Sequence, residues 1–265
     1  MRQHVRSLTV TATLLIGLTA TPLPVVAQTL APQPVTKPVP TSSSSSSNGL
    51  RDVLGDAIND FGRLPSLETL TILSIGGVGA AVGHAFDRPV TQSFSSSERL
   101  GTMLHSGETI GGARTQLAGA VATYALGRII DKPKVTAVGA DLIRAQIVTQ
   151  TLTAGIKMAV QRDRPDGTQY SFPSGHASVT FATATVLQRD LGWKVGVPAY
   201  GLATFVAASR VQRKRHFLSD VAFGAALGIV AGRSVTVGKG DTRFAVAPAM
   251  VPGGGAVNFT LLSKR

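Results

Sequence analysis

Three polar clusters lie between residues 157 and 220: Lys157 followed by Arg164-Pro165, then Pro173-Ser174-Gly175-His176, then Ser209-Arg210 with His216 and Asp220. Apolar runs separate them, the clearest from Ala177 to Leu187. Their length and content read as helix, and the prolines and small polar residues at their ends read as helix boundaries. The stretch is therefore expected to fold as part of an all-α bundle, with each polar cluster at a helix end, where the three can converge.

Each cluster carries its own chemistry. Ser174 and Gly175 at a helix start leave unpaired N–H groups at the positive end of the helix dipole; Ser174 either caps the helix and does no more, or the turn holds an anion. His216 and Asp220 are four residues apart and on a helix would share a face, so the carboxylate could accept the Nδ1 proton and leave Nε2 free as a nucleophile. Lys157 and Arg164, seven residues apart, are expected on one side of a helix end. An arginine suits bidentate contact with phosphate oxygens, and a lysine adds a point charge. With Arg210 and the loop Arg213-Lys214-Arg215, these cations call for an anion that the neighbouring sequence does not supply.

Together the clusters resemble the signature of the type-2 phosphatidic acid phosphatase superfamily, which also holds bacterial acid phosphatases and vanadium haloperoxidases. Lysine, six residues, Arg-Pro; Pro-Ser-Gly-His; and Ser-Arg, five residues, histidine, three residues, aspartate all occur here in order. The resemblance implies that His216 attacks phosphorus with Asp220 orienting it, and that His176 protonates the leaving oxygen and then activates water. It further implies that Lys157, Arg164, Ser174, Gly175 and Arg210 hold the phosphate oxygens, with Ser209 supporting Arg210. No metal or other cofactor is expected. Only residues 166–172 separate Arg164-Pro165 from Pro173, a short loop that leaves little material for a lid.

Outward from this stretch, helical patterning runs from Leu50 to about residue 236. A short helix is expected over Leu50 to Phe61, and a long apolar one from Pro65-Ser66 to about Phe86, with Gly79 and Gly83 open to a close neighbour. His84 and Asp87 at its end read as a cap or surface pair, and Pro89 to Gly107 as a polar loop. Further helices are expected over Glu108 to Ile130, Val135 to Gln161, Ser174 to Asp190, Val195 to Arg210 and His216 to Val235, about six of them forming the bundle. Arg144, inside one of these, reads as a surface side chain with its head in water. Gly224, Gly228 and Gly232 form a small-residue ridge, found both in membrane helices and in tight soluble bundles.

The ends differ in character. Residues 1–27 read as a signal peptide, with Arg2 and Arg6, a short apolar run and a small-residue cleavage site; an uncleaved anchor is the alternative. Residues 28–49 are a Pro- and Ser-rich tether too poor in apolar side chains to fold. The helical domain is 50–237, and residues 238–265 alternate as a β-hairpin around Pro252-Gly253-Gly254-Gly255.

Across 265 residues, 26 Lys and Arg stand against 14 Asp and Glu, and there is no cysteine. The +12 charge favours anionic partners, and thiolate chemistry and disulfides are excluded. A leader would take two arginines and no acids with it, so the excess survives its removal. The expected activity is a phosphatase outside the cytoplasm, soluble or membrane-associated, acting on phosphomonoesters or pyrophosphates of small molecules or lipids, with possible contact to a membrane surface. Nucleic acid is not an expected partner. The rival readings are a vanadate-dependent haloperoxidase and a basic lipid-binding protein.

Overall fold

A computed structural model describes residues 10–16, 49–237, 242–251 and 254–263, with side chains over 49–237. The chain divides into two units, 48–240 and a second made of 1–47 with 241–265.

The larger unit is all helix among its described residues: α1 Leu50–Gly62, α2 Leu67–Ser95, α3 Glu98–Met103, α4 Gly107–Ile110, α5 Ala113–Ile129, α6 Pro133–Val160, α7 Gly175–Leu191, α8 Trp193–Gln212 and α9 Leu218–Val235. Local chemistry sets several of these boundaries. Ser66 caps α2 by accepting the Thr69 N–H at 3.1 Å, and Pro133 opens α6 where its missing N–H costs nothing.

Two expectations fail here for tertiary reasons. The long apolar helix does not stop near Phe86 but runs through Pro89 to Ser95, so the loop expected from Pro89 is helical at its start and carries α3 beyond. An interior proline costs a helix roughly 3 kcal/mol. That cost is met by anchoring: Asp87 accepts the Ser219 N–H at 2.9 Å and its hydroxyl at 2.7 Å, which fixes α2 to the start of α9 on the near side of the proline. The helix expected over Glu108 to Ile130 is likewise two helices, α4 and α5, broken at Gly111-Gly112.

The glycine ridge of α9 is the seam of the bundle. A Cβ on Gly228 would lie 2.2 Å from the Ser178 carbonyl oxygen, and Gly224 and Gly232 meet Ser174 and Thr185 of the same helix, α7, almost as closely. Helix α9 is thus drawn against α7 along its length, and with α6 these helices bury Ala145, Val148, Ala182, Val186, Ala231 and Val235. On α2 the close approach is made by Gly76, against Ala226, while Gly79 has no neighbour within 4 Å.

Arg144 is not a surface side chain. It is only 13% exposed and pairs with Asp60 at 3.0 Å, Asp141 at 3.1 Å and Asp56 at 3.5 Å, pinning α1 onto α6, and it donates to the Val235 carbonyl at the end of α9. By contrast α2 leaves Leu67, Leu70, Ile75, Val78, Val82 and Phe86 exposed along one stripe. Among the described residues two helices, α2 and α9, are long and apolar enough to cross a membrane; α9 is mostly buried within the bundle and α2 mostly is not.

In the smaller unit three strands pair antiparallel in the order β1-β3-β2, with β1 Val10–Ile16, β2 Thr242–Val251 and β3 Gly254–Ser263. The C-terminal β-hairpin is therefore not supported as an element by itself. Two strands alone are marginal in water, and the third comes from within the stretch read as a leader. The rest of that stretch, and residues 28–48, lie outside the described residues.

Candidate active site

The three clusters meet where the end of α6, the start of α7, the end of α8 and the start of α9 come together. Ser174, buried as the N-cap of α7, accepts the Ala177 N–H at 3.4 Å through its hydroxyl. Its own N–H donates to the Asp220 carbonyl at 3.0 Å, so the first turns of α7 and α9 are joined by backbone. Gly175 and His176 form the first turn of α7, and with Lys157, Gln150, Thr153 and Val179 they line a cleft of about 210 Å³.

Lys157 occupies the last turn of α6, where its ammonium donates to the Tyr170 and Ser171 carbonyls. Burial, and then the nearby Arg164, lower its pKa to about 8. Arg164 is not on that helix, as its spacing from Lys157 suggested. The helix ends at Val160, and Arg164 sits in the following loop, its N–H donating to the Thr168 carbonyl at 2.7 Å. Arg210, in the last turn of α8, has a side chain 3% exposed. Among the described residues, the Nε of Arg164 and the Nε and Nη1 of Arg210 are buried with no hydrogen-bond partner. Burial pushes both guanidinium pKa values down, and for Arg210 only Glu108 acts against it.

His216 and Asp220 are arranged differently from their expected helical pairing. The helix begins only at Leu218, so His216 lies on the chain leading into it, and Asp220, in the first turn, accepts the Phe217 N–H at 2.8 Å. The His216 Nδ1 is 3.9 Å from Asp220 Oδ2, beyond hydrogen-bond reach, and is buried with no hydrogen-bond partner among the described residues. Asp220 spends its oxygens elsewhere: Ser171 donates to Oδ2 through its hydroxyl, and Arg162 to Oδ1 at 2.7 Å. Burial raises the Asp220 pKa, but the adjacent His216 ring and the donors from Ser171, Phe217 and Arg162 outweigh it, so the carboxyl stays below its ordinary value. Burial is also the first reason that His216 and His176 both fall to about 4; Arg210 and His216 then act on His176, and Lys157 and Arg210 on His216. Both imidazoles are neutral near pH 7.

Sequence reasoning missed the supports. Arg162 lies with its guanidinium 4.4 Å over the Phe217 ring and bridges Asp220 to Asp87, which it meets at 2.7 Å. Asp87 also meets His84 Nδ1 at 3.0 Å; the aspartate is buried and the imidazole is 70% exposed, so the pair is structural, with its carboxylate inside the brace and its ring at the surface. Arg162 could have been suspected from its place between Lys157 and Arg164; Ser171, Ser219 and Asp87 carry no local signal.

The three clusters thus bring cations and two histidines together. The PAP2 superfamily model matches residues 138–242, a span that contains all three clusters but begins later than the helices expected to share the resemblance. The match places that span in the PAP2 superfamily. Lipid A 1-phosphatase of Porphyromonas gingivalis is 38% identical over 96 residues, 35% of this chain and 21% of that protein. Decaprenylphosphoryl-5-phosphoribose phosphatase of Mycobacterium tuberculosis is 37% identical over 107 residues, 36% of this chain and 59% of that protein. This chain thus spans less than two thirds of either relative. Among solved structures, LpxE of Aquifex aeolicus superposes with a TM-score of 0.48 at 21% identity, over 56% of this chain and 92% of that one. The PAP2-type phosphatidylglycerolphosphate phosphatase of Bacillus subtilis gives 0.46 at 20%, over 70% and 92%.

Proposed function

We propose that this chain is a phosphatase of phosphorylated lipids that works through a phosphohistidine on His216. The observation that carries this is the set of buried guanidinium N–H groups of Arg164 and Arg210, which no acceptor reaches among the described residues, beside two neutral imidazoles. A buried charged donor without an acceptor is costly, and a phosphate dianion offers acceptors to both arginines at once.

In this reading Arg164, Arg210, Lys157, the Ser174 hydroxyl and the Gly175 N–H hold the three equatorial oxygens and take up the charge that builds on them. His216 attacks phosphorus through Nε2, and Asp220, fixed by Arg162 and Ser171, stabilises the imidazolium that forms. The bound dianion adds a negative charge against the burial and the Arg210 charge that hold His176 down, so His176 can carry the proton it gives to the leaving oxygen. The same ring then takes a proton from water, which cleaves the phosphohistidine and releases phosphate.

A lipid leaving group is supported by two observations. The curated relatives are named for lipid phosphates, and the outward stripe of α2 offers an apolar surface for membrane association. Export from the cytoplasm rests on the composition of residues 1–27 alone.

The test is turnover of p-nitrophenyl phosphate and of a prenyl monophosphate by the full chain. We expect His216→Ala to lower kcat by about 10⁴-fold or more and vanadate to inhibit the unaltered protein. Turnover that persists in His216→Ala, or indifference to millimolar vanadate, would overturn the assignment.

A further inference from the structure

Among the described residues, the cations at the mouth of the site are treated differently from those inside. Glu108 Oε2 lies 2.9 Å from Arg213 Nη1, and Asp166 Oδ2 lies 2.8 Å from Arg215 Nη1, so two arginines of the 213–215 loop already carry carboxylates. Glu108 reaches further in. Its other oxygen is 3.7 Å from Arg210 Nη1, too far to hydrogen-bond but close enough to act on its charge.

Packing holds the backbone that carries Glu108 in place. A Cβ at Gly107 would lie 2.5 Å from Ser209 Oγ, and one at Gly111 would lie 2.2 Å from Val206 Cγ1 and 3.2 Å from His176 Cδ2. The two glycines seat α4 directly on α8 and against the His176 ring. His176 is the group assigned to the leaving oxygen, so Glu108 stands on the side from which a leaving group departs. Its side chain is 44% exposed, whereas that of His216 is 4% exposed.

We propose that Glu108 is a charge filter at this mouth: held by Arg213 beside Arg210 and His176, its carboxylate admits a single phosphoryl group and repels a leaving group that carries further negative charge. The site therefore selects monophosphate esters of neutral alcohols over diphosphates. This rests on the phosphatase reading above, and the experiment separates the two.

The measurement is kcat/KM for farnesyl monophosphate and farnesyl diphosphate with the full chain. The unaltered protein is expected to prefer the monophosphate. Glu108→Gln, isosteric and partly solvated, should raise the diphosphate-to-monophosphate ratio about tenfold by removing a like charge from the leaving-group side. Glu108→Asp, which keeps the charge, should keep the original ratio. An unchanged or lowered ratio in Glu108→Gln, or an equal shift in both variants, overturns the filter while leaving the phosphatase reading intact. Absence of vanadate-sensitive turnover of either ester in the unaltered protein overturns both.

Discussion

Arg144 and Arg210 are both held within helices of one bundle, with side chains 13% and 3% exposed, yet the protein surrounds them in opposite ways. Three aspartates and a backbone carbonyl converge on Arg144. The Nε of Arg144 also lacks a hydrogen bond, but it lies 3.0 Å from the Asp60 carboxylate, whereas around Arg210 there is one carboxylate at 3.7 Å and two buried nitrogens have no hydrogen-bond partner among the described residues. An arginine whose charge is satisfied from within joins helices; one whose donors are buried and unmet is positioned for an anion from outside. Arg162 belongs with the first kind although it sits beside the second, because Asp87 and Asp220 both take its protons.

This contrast is open to reciprocal substitution. Arg210→Met should cut kcat/KM for a phosphomonoester by about 10³-fold, the scale of losing a preorganised donor to the transition state. It should leave the melting temperature unchanged or higher, since unmet buried donors are replaced by a thioether chain. Arg144→Met should do the reverse, costing about 3 kcal/mol of stability because the buried Asp60 and Asp141 both lose Arg144, Asp60 keeping only Arg63, at 2.7 Å, among the described residues. Its kcat, measured well below the lowered melting temperature, should stay close to that of the unaltered protein. Calorimetry and steady-state kinetics on the two variants suffice. Loss of turnover in Arg144→Met without loss of stability would erase the distinction.

How far the sequence foretold this depended on the range of each interaction. The helices and the three clusters could be read because caps, prolines and apolar runs act over a few residues: Ser66, Pro133 and the Ser174 turn all mark boundaries in the structure. Beyond Asp141, three residues from Arg144 on the same helix, the partners of Arg144 and Arg162 could not be read, since Arg144 meets Asp60 from another helix, Arg162 meets an aspartate 58 positions away and Asp87 meets Ser219 across 132. For the same reason α2 was expected to end before Pro89, whose local penalty is legible while the anchor that offsets it is not. The His216 and Asp220 spacing misled in another way: a separation of four implies a shared helical face only when both residues are helical, and the helix starts after His216.

Lys157 tests the comparison more gently, because it lies between the two kinds of cation, donating to carbonyls yet lining the cleft. Burial and Arg164 bring its pKa down to about 8, so the ammonium is fully present below that pH and is lost above it. A bound phosphate favours the charged form, and affinity for the dianion should therefore be flat below pH 8 and weaken as the pH rises past it. Phosphomonoesters are already dianions there, so their own titration does not intrude. We expect kcat/KM to fall about tenfold over the pH unit above the limb, and Lys157→Arg, which stays charged throughout, to remove the fall. A limb that persists near pH 8 in Lys157→Arg would show that another group governs it. Lys157 would then belong with Arg144 and Arg162, as a side chain that holds the Tyr170–Ser171 loop in place and not one that holds the phosphate.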